Sequence, residues 1–205
     1  YEPGSNWYAV TVPGASSGSN WTSITSSSDG AKLAAVVKGG YIYTSADSGS
    51  TWTQRTSAGS RDWTSITSSS DGTKLAAVVY STTSSGYIFT STDSGVTWTG
   101  RVTDTNRIWQ SITSSSDGKY LAAVVNNGYI YTSSDYGDMW TFHLIDENRN
   151  WYSITSSSDG TKLAAVIYNG LIYTSGDSGS NWTGQTNSGS RNWCCITSSS
   201  DGTKL

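Results

Sequence analysis

The decapeptide WTSITSSSDG begins at Trp21 and returns, almost unaltered, at Trp63, Trp109, Trp151 and Trp193. The intervals are 42, 46, 42 and 42 residues, and the long one carries its extra length in the stretch YSTTSSG at 80–86. A period of this size marks a chain built from one supersecondary unit stacked on its own copies. Within each period four short β-like runs are separated by turn signals. The first is WTSITS, closed by SSDG. The second is KLAAVV, followed by a glycine-bearing hairpin such as KGG, NNG or YNG. The third is YIYTS, and the fourth is of the type TWTQRT. No stretch shows helical periodicity of useful length. Four strands in some forty residues, repeated, predict an all-β fold: a β-propeller of four-stranded antiparallel blades. The alanine pair of the second strand is expected where blades crowd, and the two tryptophans of each unit where gaps are wider.

The ends fit the same scheme. Residues 1–12 match the close of a repeat, because GSNW at 4–7 matches GSNW at 179–182. They are expected to supply the outer strand of a closing blade, with Glu2, Gly4 and Trp7 as a degraded turn motif. Residues 193–205 supply that blade's first strand. The chain 1–205 therefore reads as one propeller domain of five repeats, the fifth incomplete because its second and third strands are missing.

The motif SADSGSTW lies between the third and fourth strands of the first repeat. It returns as STDSGVTW, SSDYGDMW and SGDSGSNW. Its fixed residues are Asp47, Gly49 and Trp52, then Asp93, Gly95 and Trp98, Asp135, Gly137 and Trp140, and Asp177, Gly179 and Trp182. An aspartate can close a turn on backbone N–H groups ahead of it, a glycine can take positive φ, and a tryptophan can bury beside them. These copies resemble the Asp-box of the BNR, or sialidase-type, repeat propellers, Ser/Thr-x-Asp-x-Gly-x-x-Trp, over essentially the whole chain. The resemblance implies a structural turn remote from any active site. It implies no single activity, since that family includes sialidases, other glycoside hydrolases, sorting-receptor ectodomains, photosystem assembly factors and lectin-like binders.

Catalysis is disfavoured by the acids left over. Of thirteen aspartates, Asp29, Asp71, Asp117, Asp159 and Asp201 lie in SSDG turns, and four more lie in the boxes. Asp62, Asp104, Asp138 and Asp146 remain, with Glu2 and Glu147, whereas most glycosidases need two carboxylates flanking the scissile bond. The resemblance adds the expectation of an arginine triad and an Arg-Ile-Pro signature, but NRIW at 106–109 lacks the proline. His143 stands alone, so no catalytic residue, metal or cofactor is expected.

Binding is the expected role. The turns that join first to second and third to fourth strands share one face of the disc. The opposite face carries the loops in which the copies differ, and loops on a rigid scaffold commonly hold the function. Arg61, Arg107, Arg149 and Arg191 each stand two residues before a repeat's first tryptophan, and are expected to ring the channel mouth. One reading gives them an anionic or sugar ligand; the other has each stacking on its blade's tryptophan or bonding loop carbonyls. A glycan is the expected ligand, as for a lectin-like module, because aromatic and hydroxyl-rich surfaces suit sugars. The rival expectation is a self-assembling structural subunit that adds copies through the unfinished blade, toward a homo-oligomer or filament.

Charged residues make up only 13% of the chain and the net charge is −3, with no basic cluster, which argues against nucleic acid as a partner. No apolar run is long enough to span a membrane. An extracellular, secreted setting is the expectation, with Asn20 and Asn181, both in NWT, as candidate N-glycosylation sites. The only cysteines are Cys194 and Cys195. Neighbours on a regular strand point to opposite faces, so they are expected to be badly placed to bond each other, and a pairing between chains is the sharper alternative.

Overall fold

The structure, a computed structural model, describes residues 9–81, 86–143 and 148–205. Each of the first four repeats is a four-stranded antiparallel meander. The first comprises β1 (Trp21–Ser26), β2 (Leu33–Gly40), β3 (Ile42–Ser45) and β4 (Thr53–Arg55). The second comprises β5 (Arg61–Ser68), β6 (Leu75–Val79), β7 (Ile88–Ser91) and β8 (Thr99–Arg101). The third comprises β9 (Trp109–Ser114), β10 (Leu121–Gly128), β11 (Ile130–Ser133) and β12 (Thr141–His143). The fourth comprises β13 (Arg149–Ser156), β14 (Leu163–Gly170), β15 (Ile172–Ser175) and β16 (Thr183–Gln185). A two-residue strand, β17 (Arg191–Asn192), opens the fifth repeat. These are the blades that the periodicity predicts.

The run LAAVV is apolar without alternation because the second strand is buried on both faces. Its alternate residues serve two interfaces. Ala34 and Val36 of β2, with Ile42 of β3, point forward and pack against Trp63, Ile66, Leu75, Ala77, Val79 and Phe89 of the second repeat. Ala76, Val78 and Ile88 then do the same for the third repeat, and Ala122, Val124 and Ile130 for the fourth. The small alanines let successive sheets approach, and the first-strand tryptophan fills the remaining gap. Trp63, Trp109 and Trp151 are completely buried. Each meets the aromatic ring of its own third strand edge-on, with centroids 5.2 Å apart for Trp63–Phe89 and 5.0 Å for Trp109–Tyr131.

The first strands lie side by side at the inner edge. Each contains a β-bulge directly after its tryptophan, where the register jumps between Trp21 and Ser23, and again between Trp63 and Ser65. The same irregularity recurs in β13 and opposite Val124 and Val125 in β10. A bulge breaks the strict alternation of side chains. Here it turns two neighbours toward the following inner strand: Thr22 Oγ1 donates to the Trp63 carbonyl (2.9 Å), and the Ile66 N–H donates to Ser23 Oγ (3.2 Å). The serine bond recurs at Ser65–Ile112, Ser111–Ile154 and Ser153–Ile196. Backbone bonds from Ser28, Ser70, Ser116 and Ser158 N–H to the carbonyl of the equivalent serine one repeat on add a second link.

The KGG and NNG hairpins turn the chain as expected, with Gly39 and Asn127 at positive φ, and they also bridge to the next repeat through Gly40↔Arg61 and Gly128↔Arg149. Two expectations are corrected. The fifth first strand, expected from Trp193, is formed only at Arg191–Asn192, which pair with β14 of the preceding repeat. Within the expected outer strand at 1–12, residues 9–12 form no strand; residues 1–8, with Glu2, Gly4 and Trp7, lie outside the described residues, as do Asp146 and Glu147.

Candidate functional site

The two repeated aspartate motifs are self-contained turns. In the first box, Ser45 Oγ donates to Asp47 Oδ1 (2.8 Å) and accepts from the Gly49 N–H (2.9 Å). Thr51 N–H donates to Oδ1 (2.8 Å) and its hydroxyl to Oδ2 (2.6 Å), so both carboxylate oxygens are engaged. Ser48 and Gly49 take φ of 56° and 86°, and the Trp52 indole closes the turn on the Gly49 carbonyl (3.0 Å). The Thr51 hydroxyl and N–H, with Ser45, hold the Asp47 carboxyl down at about 2. Asp93, Asp135 and Asp177 accept equivalent bonds. In the SSDG turns a serine donates to each aspartate, as the buried Ser27 does to Asp29 and the buried Ser69 to Asp71. The same bond reaches Asp117, Asp159 and Asp201. Nine carboxylates thus hold turns together.

His143 also has a fold-level place. Its Nε2 is 2.7 Å from Thr132 Oγ1. The slot beside the third-strand threonine is filled by Arg55, Arg101 and Gln185 in the other repeats, each donating to Thr44, Thr90 or Thr174. Burial pushes the His143 imidazole below its usual value.

Arg61, Arg107 and Arg149 stack on the third-strand ring of the repeat they open, not on its tryptophan as expected, and Arg61, Arg107 and Arg191 bond groups of the loop before it. The Arg61 guanidinium lies 4.6 Å above the Phe89 ring and its Nε donates to the Ala58 carbonyl (2.7 Å). Arg107 lies over Tyr131 (5.1 Å), donates from Nε to its hydroxyl (2.8 Å) and grips Asp104 with two 2.9 Å bonds. Arg149 lies over Tyr173 (5.2 Å), and Arg191, which is exposed, donates to the Ser188 carbonyl (3.2 Å). Of the two sequon asparagines, Asn20 is exposed, whereas Asn181 takes the place of Thr51 and donates from Nδ2 to Asp177 (2.7 Å).

Arg107 stands apart because it lines a hollow of about 460 Å³ with Val102, Asp104, Tyr129, Tyr131, Asp138, Trp140 and Phe142. The hollow lies along the outer strands of the second and third repeats, so it draws on loop residues and box residues together. Tyr129 and Phe142 form one aromatic wall (centroids 5.9 Å apart), and Phe142 is half exposed. Asp104 and Asp138 stand at the rim, both mostly exposed. Arg107 holds the Asp104 carboxyl below its usual range, and Arg101 binds Asp138 at 2.6 Å. Val102 has φ of 51°, rare for a β-branched residue. By contrast, the cleft of about 280 Å³ between the first two repeats is lined by Lys32, Leu33, Thr44, Asp47 and Leu75, positions common to the repeats. The hollow was legible only in part. Phe142 replaces Gln54, Gly100 and Gly184, and Asp138 replaces Ser50, Val96 and Ser180. That departure from the repeat was the available signal.

No family model matches the chain, and no curated protein matches it in sequence. Solved structures do match its fold. An ancestral GH74 enzyme superposes with a TM-score of 0.67 at 16% identity, over 84% of this chain and 26% of that one. YCF48 bound to D1 peptide gives 0.67 at 17% identity, over 96% and 61%. A chain of a nidogen/laminin complex gives 0.66 at 15% identity, over 87% and 68%. The chain therefore spans about a quarter of the GH74 enzyme and 61% of YCF48. With the four-stranded blades, these matches establish an all-β fold of the β-propeller class.

Proposed function

We propose that this chain is a non-catalytic binding module of the Asp-box propeller type, acting outside the cell, whose ligand docks in the hollow of the third repeat. One observation carries the reading. Where the repeat is broken at Asp104, Asp138 and Phe142, the departures converge on a single concave, aromatic-walled surface. Such surfaces, apolar with a few placed polar groups, are the common form of binding sites. The ligand is a peptide segment of a protein partner. Phe142 and Tyr129 offer rings to an apolar side chain, and the paired rim charges offer hydrogen bonds to a backbone. YCF48 with its D1 peptide and the nidogen/laminin complex, both of this fold, support that class of partner. Catalysis has little to draw on, since nine aspartates close turns and both acids at the hollow are paired with arginine.

A displayed peptide library and a glycan array, each read against wild type and Phe142→Ala, test this. Peptide capture that is lost with Phe142→Ala supports the reading. Capture of glycans alone would replace the peptide by the sugar ligand expected from composition, and turnover of fluorogenic glycosides would overturn the non-catalytic assignment.

A second reading, assembly with a further copy, is favoured by the first repeat. Trp21 and Ile24 are 42% and 64% exposed, whereas Trp63 and Ile66, at the same positions, are 0% and 4% exposed beneath the preceding repeat. Sedimentation equilibrium checks this: concentration-dependent association that Ile24→Asp abolishes is the expected result, and a wild type that stays monomeric at high concentration removes it.

A further inference from the structure

The clefts between successive repeats are not alike. The one between the first and second repeats holds about 280 Å³, and Lys32 and Arg55 line it. The one between the second and third, lined by Lys74 and Tyr136, is closed down to about 10 Å³. The cations are the same in both: Lys74 stands at the position of Lys32, and Arg101 at that of Arg55. What differs is the box of the following repeat. In the third repeat the Tyr136 ring lies 5.3 Å from the Lys74 ammonium, and the Asp138 carboxylate meets Arg101 at 2.6 Å. In the second repeat the same two positions are Ser94 and Val96. Among the described residues no carboxylate forms an ion pair with Arg55 or Lys32. The pose of the two arginines is nevertheless shared. Arg101 Nε donates to Thr90 Oγ1 (3.0 Å), and Arg55 Nε donates to Thr44 Oγ1 (2.8 Å). Arg55 therefore presents to the first cleft the terminal N–H groups with which Arg101 takes Asp138.

We propose that the first cleft binds a small aromatic carboxylate, whose carboxyl plays at Arg55 the part of Asp138 and whose ring plays at Lys32 the part of Tyr136. This site is separate from the hollow of the third repeat and goes beyond the peptide reading. The chain supplies the template, since it satisfies the same two cations from its own residues one cleft further on. Arginine's planar fork suits a carboxylate, and such charge-assisted bonds are roughly twice as strong as neutral ones. A ring beside an ammonium adds cation–π attraction. Leu33, Ala34 and Leu75 give the ring an apolar floor. Asp47 also lines the cleft, but both its oxygens are taken by Ser45 and Thr51 within its own turn. A cleft of about 280 Å³ lies at the small end of ligand sites, which start near 300 Å³, so the ligand is a single-ring acid. The third cleft lacks both cations, because Tyr120 replaces the lysine and His143 the arginine.

The probe is 4-hydroxybenzoate, titrated into the isotopically labelled full chain and followed by amide shifts in nuclear magnetic resonance. Saturable shifts at Thr44, Thr53 and Ser94 are expected. None is expected from 4-hydroxybenzamide, which keeps the ring and loses the charge. Arg55→Gln installs the residue found in the same slot at 185, where it keeps the threonine bond, and should weaken binding by about tenfold or more. Ser94→Tyr combined with Val96→Asp copies the third repeat's seal onto the first cleft and should abolish the shifts. Ser94 and Tyr136 have φ of 56° and 64°, so the new tyrosine enters a backbone that already carries one in the next copy. Phe142→Ala should bind the probe as wild type does. No saturable shift in the wild type, equal binding of the amide, or a double variant that binds like wild type would overturn the proposal. Loss of binding with Phe142→Ala would place the probe in the hollow and overturn it as well.

Discussion

The inner and outer strands belong to the same repeats yet differ in how strictly they are copied. An inner strand such as β5 or β9 lies between two other inner strands, and its tryptophan, bulge pair and isoleucine each meet a neighbour. Its sequence is WTSITS or WQSITS with little latitude. An outer strand is three residues long and lies mostly open: Thr53–Arg55, Thr99–Arg101, Thr141–His143 and Thr183–Gln185. Its middle residue is Gln54, Gly100, Phe142 or Gly184. The number of surfaces a strand must fit sets its freedom to vary, and the candidate site has formed where that freedom is greatest.

The sharpest way to break this comparison is to cut the inner strand. Trp109 is fully buried and donates from its indole to the Gly86 carbonyl of the preceding repeat (2.9 Å). Trp109→Ala should destabilise by about 3–5 kcal/mol, measured by denaturant unfolding. Acid comes next, because it loosens every turn that orients both kinds of strand. Asp47, Asp159, Asp177 and Asp201 are held down at about 2 by hydroxyl and backbone donors. A carboxyl depressed in the folded state adds stability above its ordinary value of 3.8 and loses it as pH falls toward 2. Thermal unfolding should accordingly be nearly level above pH 4 and drop steeply between 4 and 2, and a level profile there would contradict the turn assignment.

Smaller effects are expected in the outer strands. Burial depresses His143 below 6.5, so its neutral form supports the fold and that support fades as pH falls below 6.5. His143→Gln, which installs the residue found in the same slot at 185, should keep the threonine bond and flatten that part of the pH–stability curve. Phe142→Ala should change stability least, by no more than about 0.5 kcal/mol as for most exposed substitutions, while removing ligand capture. A large loss of stability there would return Phe142 to the core and weaken the binding proposal.

How much of this was readable from the sequence follows the same division. The decapeptide and the aspartate motif each recur in register with four short runs, so strand order, the turns and the structural use of nine aspartates follow from spacing alone. The bulge does not. It adds no residue type that marks it, and only the register of β1 against β2 and the bonds made across to β5 show that Thr22 and Ser23 share a side. The hollow was hidden for a different reason. Tyr129 comes from one segment, Trp140 and Phe142 from a second, and Val102 and Asp104 from the end of the preceding repeat, so no local motif contains them. The arginines were visible as a series, but their separate partners, Ala58, Asp104 and Ser188, depend on loops that differ between copies.

The serine–isoleucine bonds between inner strands repeat at every junction. Ser23 meets Ile66, Ser65 meets Ile112, Ser111 meets Ile154 and Ser153 meets Ile196, so each unit carries the complement of its successor. During synthesis from the amino terminus, a newly emerged unit therefore finds its docking surface already built by the one before it. At the level of the gene, duplicating or deleting one 42-residue unit keeps the residues of the serine–isoleucine bond at each junction it creates.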